Sequence, residues 1–109
     1  MSSEKALETV LSEDDADRIA AVVTDVAGVA ALHGGMFGEV ATYLPGRRVS
    51  GVRISNDRVD VHVSLVLDAP IRDTATAIQR AVAAIVDLPV DVTIEDIVPA
   101  TTASGRQLQ

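Results

Sequence analysis

The chain is expected to fold as an α+β protein, a two-layer α/β sandwich with about four strands in a mixed or antiparallel sheet covered on one face by two helices. Three stretches carry this expectation. From Val49 to Leu67 apolar and polar residues alternate into and out of Asn56-Asp57, as in a β-hairpin with one wet face. Val59, Val61, Val63, Leu65 and Leu67 point one way and Asp60, His62 and Ser64 the other, because strand side chains alternate with a period of two. An Ala-rich amphipathic segment from Ile71 to Val86 then supplies a cover, and Val90, Val92 and Ile94 open a further alternating strand.

The elements follow in the order α-β-β-β-α-β. Residues 1–11 read as a flexible acidic tail. Ser12 followed by Asp15 has capping-box spacing, with a shorter acid than the usual Glu, and Asp14, Asp15 and Asp17 favour the positive end of a helix dipole. The first helix therefore begins there, places Ile19, Val22, Val23 and Val26 at helical spacing, and meets a left-handed stop at Gly28. Val29 to His33 is a short strand halted by Gly34-Gly35. Met36 to Pro45 suits a helical turn or a loop on the sheet edge, and Pro45-Gly46 is a turn signal.

Asn56-Asp57 joins strands Val49 to Ser55 and Arg58 to Leu67, since Asn and Asp tolerate positive φ. Asp68 and Pro70 mark a helix start, because proline lacks the N–H that a first turn cannot use. The second helix turns Ile71, Ile78, Val82 and Ile85 inward and stops at Pro89. The last strand buries Val90, Val92 and Ile94 and shows Asp91, Thr93 and Glu95 to solvent. Residues 12–98 form one domain, and 99–109 read as a second flexible tail.

A chain of 109 residues suits one domain, burying roughly 60 to 70 % of its unfolded surface. One Phe, one Tyr and no Trp leave its core to small branched side chains. The lack of cysteine removes disulfides, thiolate metal sites and thiol nucleophiles, and is compatible with a reducing cytosol. No apolar run approaches the ~20 residues of a membrane-spanning helix, and the N-terminus is acidic where a signal peptide is basic. A cytoplasmic location is expected. The formal charge of −7 argues against a general nucleic-acid binder, yet it hides a local basic stretch, Arg47, Arg48, Arg53 and Arg58, relieved only by Asp57.

In this order the chain resembles the alkaline-shock protein family of bacterial envelope stress response proteins, in particular short members from high-GC Gram-positive bacteria. The resemblance lies in GVAALHGG (Gly28 to Gly35), PGRRVSGVRI (Pro45 to Ile54), VDVHVSLVLDAPI (Val59 to Ile71) and PVDVTIEDI (Pro89 to Ile97). It implies a non-enzymatic interaction or scaffold protein that associates with itself. It also implies recruitment by a membrane-anchored partner to the inner face of the cell membrane. Roles in cell-wall homeostasis and in fatty-acid synthesis both occur among such proteins. The PGRR turn differs from the more lysine-rich loops of other members.

The residues offer little chemistry beside this. His33 and His62 alone have an ordinary pKa near neutrality. His62, on a polar strand face, reads as solvated or as touching a helix end, and His33 as a strand-end hydrogen-bonding group. No Ser has a partner His and acid at suggestive spacing, and GxSxG is absent. Asp14, Asp15 and Asp17 with Asp25, or Glu95 with Asp96, lack the spacing and glycine of an EF-hand and read as capping and solvated acids. Gly34-Gly35-Met36-Phe37-Gly38 lacks the Lys and Ser or Thr of a phosphate loop and reads as a turn.

No catalytic residue, cofactor or metal is therefore expected. The candidate partner-binding residues are Arg47, Arg48, Arg53 and Arg58, whose guanidiniums suit carboxylates, lipid headgroups or a nucleic-acid backbone. An RNA-binding module using the arginines of residues 47–58 is the alternative. It ranks below protein binding, because Phe37 and Tyr43 make no interleaved stacking platform.

Overall fold

The computed structural model describes residues 15–99. The expected tails and the Ser12 start of the first helix lie outside them, apart from Pro99. The first helix, α1, covers residues 15–24 of the described chain. It is followed by strands β1 (Val29–Leu32), β2 (Ala41–Leu44), β3 (Arg47–Ser50), β4 (Val52–Ile54) and β5 (Val59–Val66), helix α2 (Ile71–Ala83) and strand β6 (Val90–Val98). The fold is α+β.

All pairing in the main sheet converges on β5. Its first half pairs antiparallel with β4 (Val52 opposite Val61, Ile54 opposite Val59) and its second half with β1 (Val29 opposite Leu65, Leu32 opposite Val63). β1 and β4 thus lie end to end along one edge of β5. The other edge carries β6 in parallel, from Val59 beside Val90 to Val66 beside Val98. The sheet is mixed, since a parallel neighbour needs a crossover connection and α2 provides it.

The alternation in β5 does what its pattern predicts as far as Leu65, whereas Leu67, expected on the same inward face, lies past the strand's end and is exposed. Val59, Val61, Val63 and Leu65 are fully buried with Ala16, Ile19 and Val23 of α1 and Ile78 and Val82 of α2, in one apolar cluster. Both helices therefore pack on one face. α2 starts at Pro70, whose carbonyl accepts from the Thr74 amide (2.9 Å) and hydroxyl (2.7 Å). Asp68 does not cap it, for no side chain bonds the free amides of the first turn.

Three local expectations are corrected. Met36 to Pro45 is neither helix nor loop throughout, because Ala41–Leu44 is a strand paired antiparallel with Arg47–Ser50. Gly46, at φ +77°, turns the chain back so tightly that the residues flanking Pro45-Gly46 must pair. Second, the strand expected from Val49 to Ser55 is broken at Gly51, whose φ is +85°. There the chain leaves the β2–β3 hairpin and joins the main sheet, the Gly51 amide donating to Val40 (2.8 Å) and its carbonyl accepting from His62 (2.9 Å). Third, the Asn56-Asp57 turn forms without positive φ, as no described non-glycine residue has one. The Ser55 amide donates to the Arg58 carbonyl (2.9 Å), and so does the Ser55 hydroxyl (3.1 Å).

Candidate interaction surface

Arg47 and Arg48 lie within β3 rather than in the turn before it. The two point to different uses. Arg47 meets Asp17 of α1 through two parallel bonds, Nη1 to Oδ1 at 2.9 Å and Nη2 to Oδ2 at 2.7 Å. This fork geometry ties the hairpin to the helix. The same guanidinium, first by hydrogen bonding and then by its charge, holds the Asp17 carboxyl below the ordinary carboxylate range. Arg48 is exposed, stands opposite Tyr43 in the β2–β3 register, and makes no ion pair among the described residues. Tyr43 is itself 69 % exposed.

Arg53 and Arg58 belong elsewhere. Arg53 approaches Asp60, its partner in the β4–β5 register, at 3.5 Å, and Arg58, just before β5, holds Asp91 of β6 at 2.8 Å. The four arginines therefore do not make one basic patch. Three of them lie against an aspartate, and of the four Arg48 is the one that makes no ion pair among the described residues.

The sheet face opposite the helices holds what the sequence pattern does not reveal. His62 Nδ1 lies 2.5 Å from Glu95 Oε2, with both side chains largely shielded from water. His62 is therefore neither simply solvated nor at a helix end. The β5–β6 register shifts between Val63 and Ser64, so that Ile94 opposes Val63 and Asp96 opposes Ser64. Glu95 falls in that irregularity, a device that re-aims a side chain. His33 accepts from the Gly35 amide at Nδ1 (2.9 Å), as a strand-end group would.

The glycine stretch is a turn closed by Gly38 N–H to the Gly35 carbonyl (3.2 Å). The amides of Gly35, Phe37 and Gly38 are already in use. Gly35 donates to His33, and Phe37 donates to Glu39 Oε1 (3.0 Å), so neither faces outward to receive an anion. Hydrogen bonds from its own amide and from Phe37, then the positive fields of His62 and Arg53, hold Glu39 below the ordinary carboxylate range. Asp15 lies 3.6 Å from Arg18 and Asp17 is taken by Arg47, so these acids face arginines.

A pH dependence follows from Glu39. Its folded pKa is depressed below about 4.5, so its contribution is complete above that value and is lost as pH falls through the folded pKa. Glu39→Gln is expected to lower the melting temperature at neutral pH. It should also lose less than wild type between neutrality and about pH 3.5. Equal losses by thermal melts at the two pH values would show that this carboxylate contributes nothing.

Among the described residues no helix is long and apolar enough to cross a membrane. Comparison with protein-family models, with curated proteins and with solved structures finds no match.

Proposed function

We propose that the chain is a non-catalytic interaction module of the envelope stress response, of the alkaline-shock type. In this reading it associates with itself, resides in the cytoplasm and is held at the inner face of the membrane by an anchored partner. The observation that carries the reading is the β2–β3 hairpin. It presents Tyr43 and Arg48 side by side in its register, both exposed, on a backbone braced by the Arg47–Asp17 fork. Tyr and Arg are the residues that most often dominate protein interfaces, and a rigid support lowers the ordering cost of docking.

An acidic patch on the partner is the natural complement. The RNA alternative draws less support, because Arg47, Arg53 and Arg58 lie against aspartates rather than forming a track for phosphates.

Arg48→Glu is expected to abolish recovery of a membrane protein with the tagged chain from native cells. The circular dichroism spectrum should remain unchanged, because the residue is exposed. Undiminished recovery of the same membrane protein would exclude this surface. A saturable, salt-sensitive RNA signal lost in the same variant would favour the alternative.

A further inference from the structure

The chain carries an apolar projection and an apolar hollow on different parts of its surface. The projection is the turn closed by Gly35 and Gly38, with Met36 82 % and Phe37 86 % exposed at its tip. This Phe is the chain's only one. Leaving it in water forgoes the burial of a large aromatic group in a core otherwise made of small side chains. The turn is also well held, since Glu39 accepts from the Phe37 amide and Gly35 and Gly38 take positive φ.

The hollow lies where the end of α1, the end of β5 and the start of α2 meet. It measures about 420 Å³, has walls of Val26, Val66, Ala69, Pro70 and Ala77, and lies above Gly28. That volume falls in the ordinary range of ligand pockets, and it has room for a phenyl ring beside a flexible thioether. Gly28 (φ +97°) packs closely at its edge, where a Cβ would come within 2.9 Å of the Ala69 methyl and 3.1 Å of the Thr74 hydroxyl.

Charge decides the occupant. Asp68 and Asp73 line the hollow, and neither makes an ion pair among the described residues. Beside the turn stands Arg48, its guanidinium 3.8 Å from where a Cβ on Gly38 would lie. An anionic lipid surface or a nucleic acid would be repelled by the two carboxylates. The turn of a second copy brings apolar surface and a cation together.

We propose that Met36 and Phe37 of one copy seat in the hollow of the next, with Arg48 facing Asp68 and Asp73. This rests on the reading of the chain as self-associating and names the surfaces that do it. Projection and hollow are different patches, so the contact is head-to-tail and generates rings or open chains rather than a two-fold dimer.

Sedimentation velocity of the full chain over a concentration series tests this. Wild type is expected to form assemblies larger than dimers. Phe37→Ser, which removes the knob, and Ala77→Arg, which fills the hollow at an exposed helical position, should each weaken association by about tenfold to a hundredfold. Circular dichroism confirms that both are folded. Mixed in equal amounts, the two variants should form a heterodimer and nothing larger, since Ala77→Arg retains an intact turn and Phe37→Ser an intact hollow. A mixture that stays monomeric overturns the proposal. So does assembly that survives either substitution, which leaves self-association standing on another surface. A wild-type chain that is monomeric throughout overturns both the proposal and the self-association reading. Phe37→Ser and Ala77→Arg both keep Arg48, so recovery of a membrane partner with these two variants separates that contact from self-association.

Discussion

Gly51→Ala is expected to destabilise the protein by about 2 to 4 kcal/mol, among the largest effects of any single methyl addition in the chain. Two costs add. The backbone sits at φ +85°, a conformation that an L side chain adopts only with strain. A Cβ there would lie 2.8 Å from Leu32 Cβ, 3.0 Å from the His33 amide nitrogen and 3.1 Å from the His62 carbonyl oxygen. Two of those three neighbours are backbone atoms joined by the His33-to-His62 hydrogen bond (2.8 Å), so neither retreats without opening the sheet. Urea denaturation should show a lower midpoint with an unchanged slope. A variant within about 0.5 kcal/mol of wild type would show that the seam between β1 and β4 is loose rather than close-packed.

Leu65→Ala is expected to cost about 3 to 4 kcal/mol, toward the upper half of the usual range for such truncations. The reason lies in its surroundings. Leu65 is fully buried, and most of the other fully buried large side chains are valines, with Ile19 and Ile78 the exceptions. Valine and isoleucine are stiff about χ1 and cannot swing into a vacated space. The hole left behind therefore stays largely open, and cavity cost adds to lost transfer free energy. For a domain of this size the melting temperature should fall by roughly 10 to 30 °C. A fall of only a few degrees by calorimetry would mean that the core relaxes around the deletion, contrary to its composition.

The parts legible in the sequence are those encoded by local period. Val59, Val61, Val63 and Leu65 declare a buried strand face within a single run, and Ile78 and Val82 mark the inner face of α2 in the same way, whereas Ile71, expected on that face too, is exposed in its first turn. Ala41–Leu44 escapes that logic. Four residues carry too little pattern to separate a strand from a turn of helix, and only the reversal at Gly46 makes them pair. Gly51 interrupts what otherwise reads as one continuous strand, although an isolated glycine in such a run is a recognised sign of close backbone approach.

The candidate surface was legible by residue type and not by partnership. Arg47 finds Asp17 across thirty positions of sequence, and His62 finds Glu95 across thirty-three. No periodicity reports such meetings, which depend on how α1 and β6 are laid against the rest. A cluster of four arginines in the sequence thus becomes three pairs with aspartate and one arginine, Arg48, without an ion pair among the described residues.

The convergence of β1, β4 and β6 on a single eight-residue strand also governs where the chain tolerates changes in length. Adding or removing one residue within Val59–Val66 would rotate every following side chain to the opposite face, exchanging apolar for polar side chains against both helices at once. Linkers, tags and spliced segments therefore belong in the span 84–89, where a longer path alters no strand's frame, and not in the bonded turn that carries Met36 and Phe37.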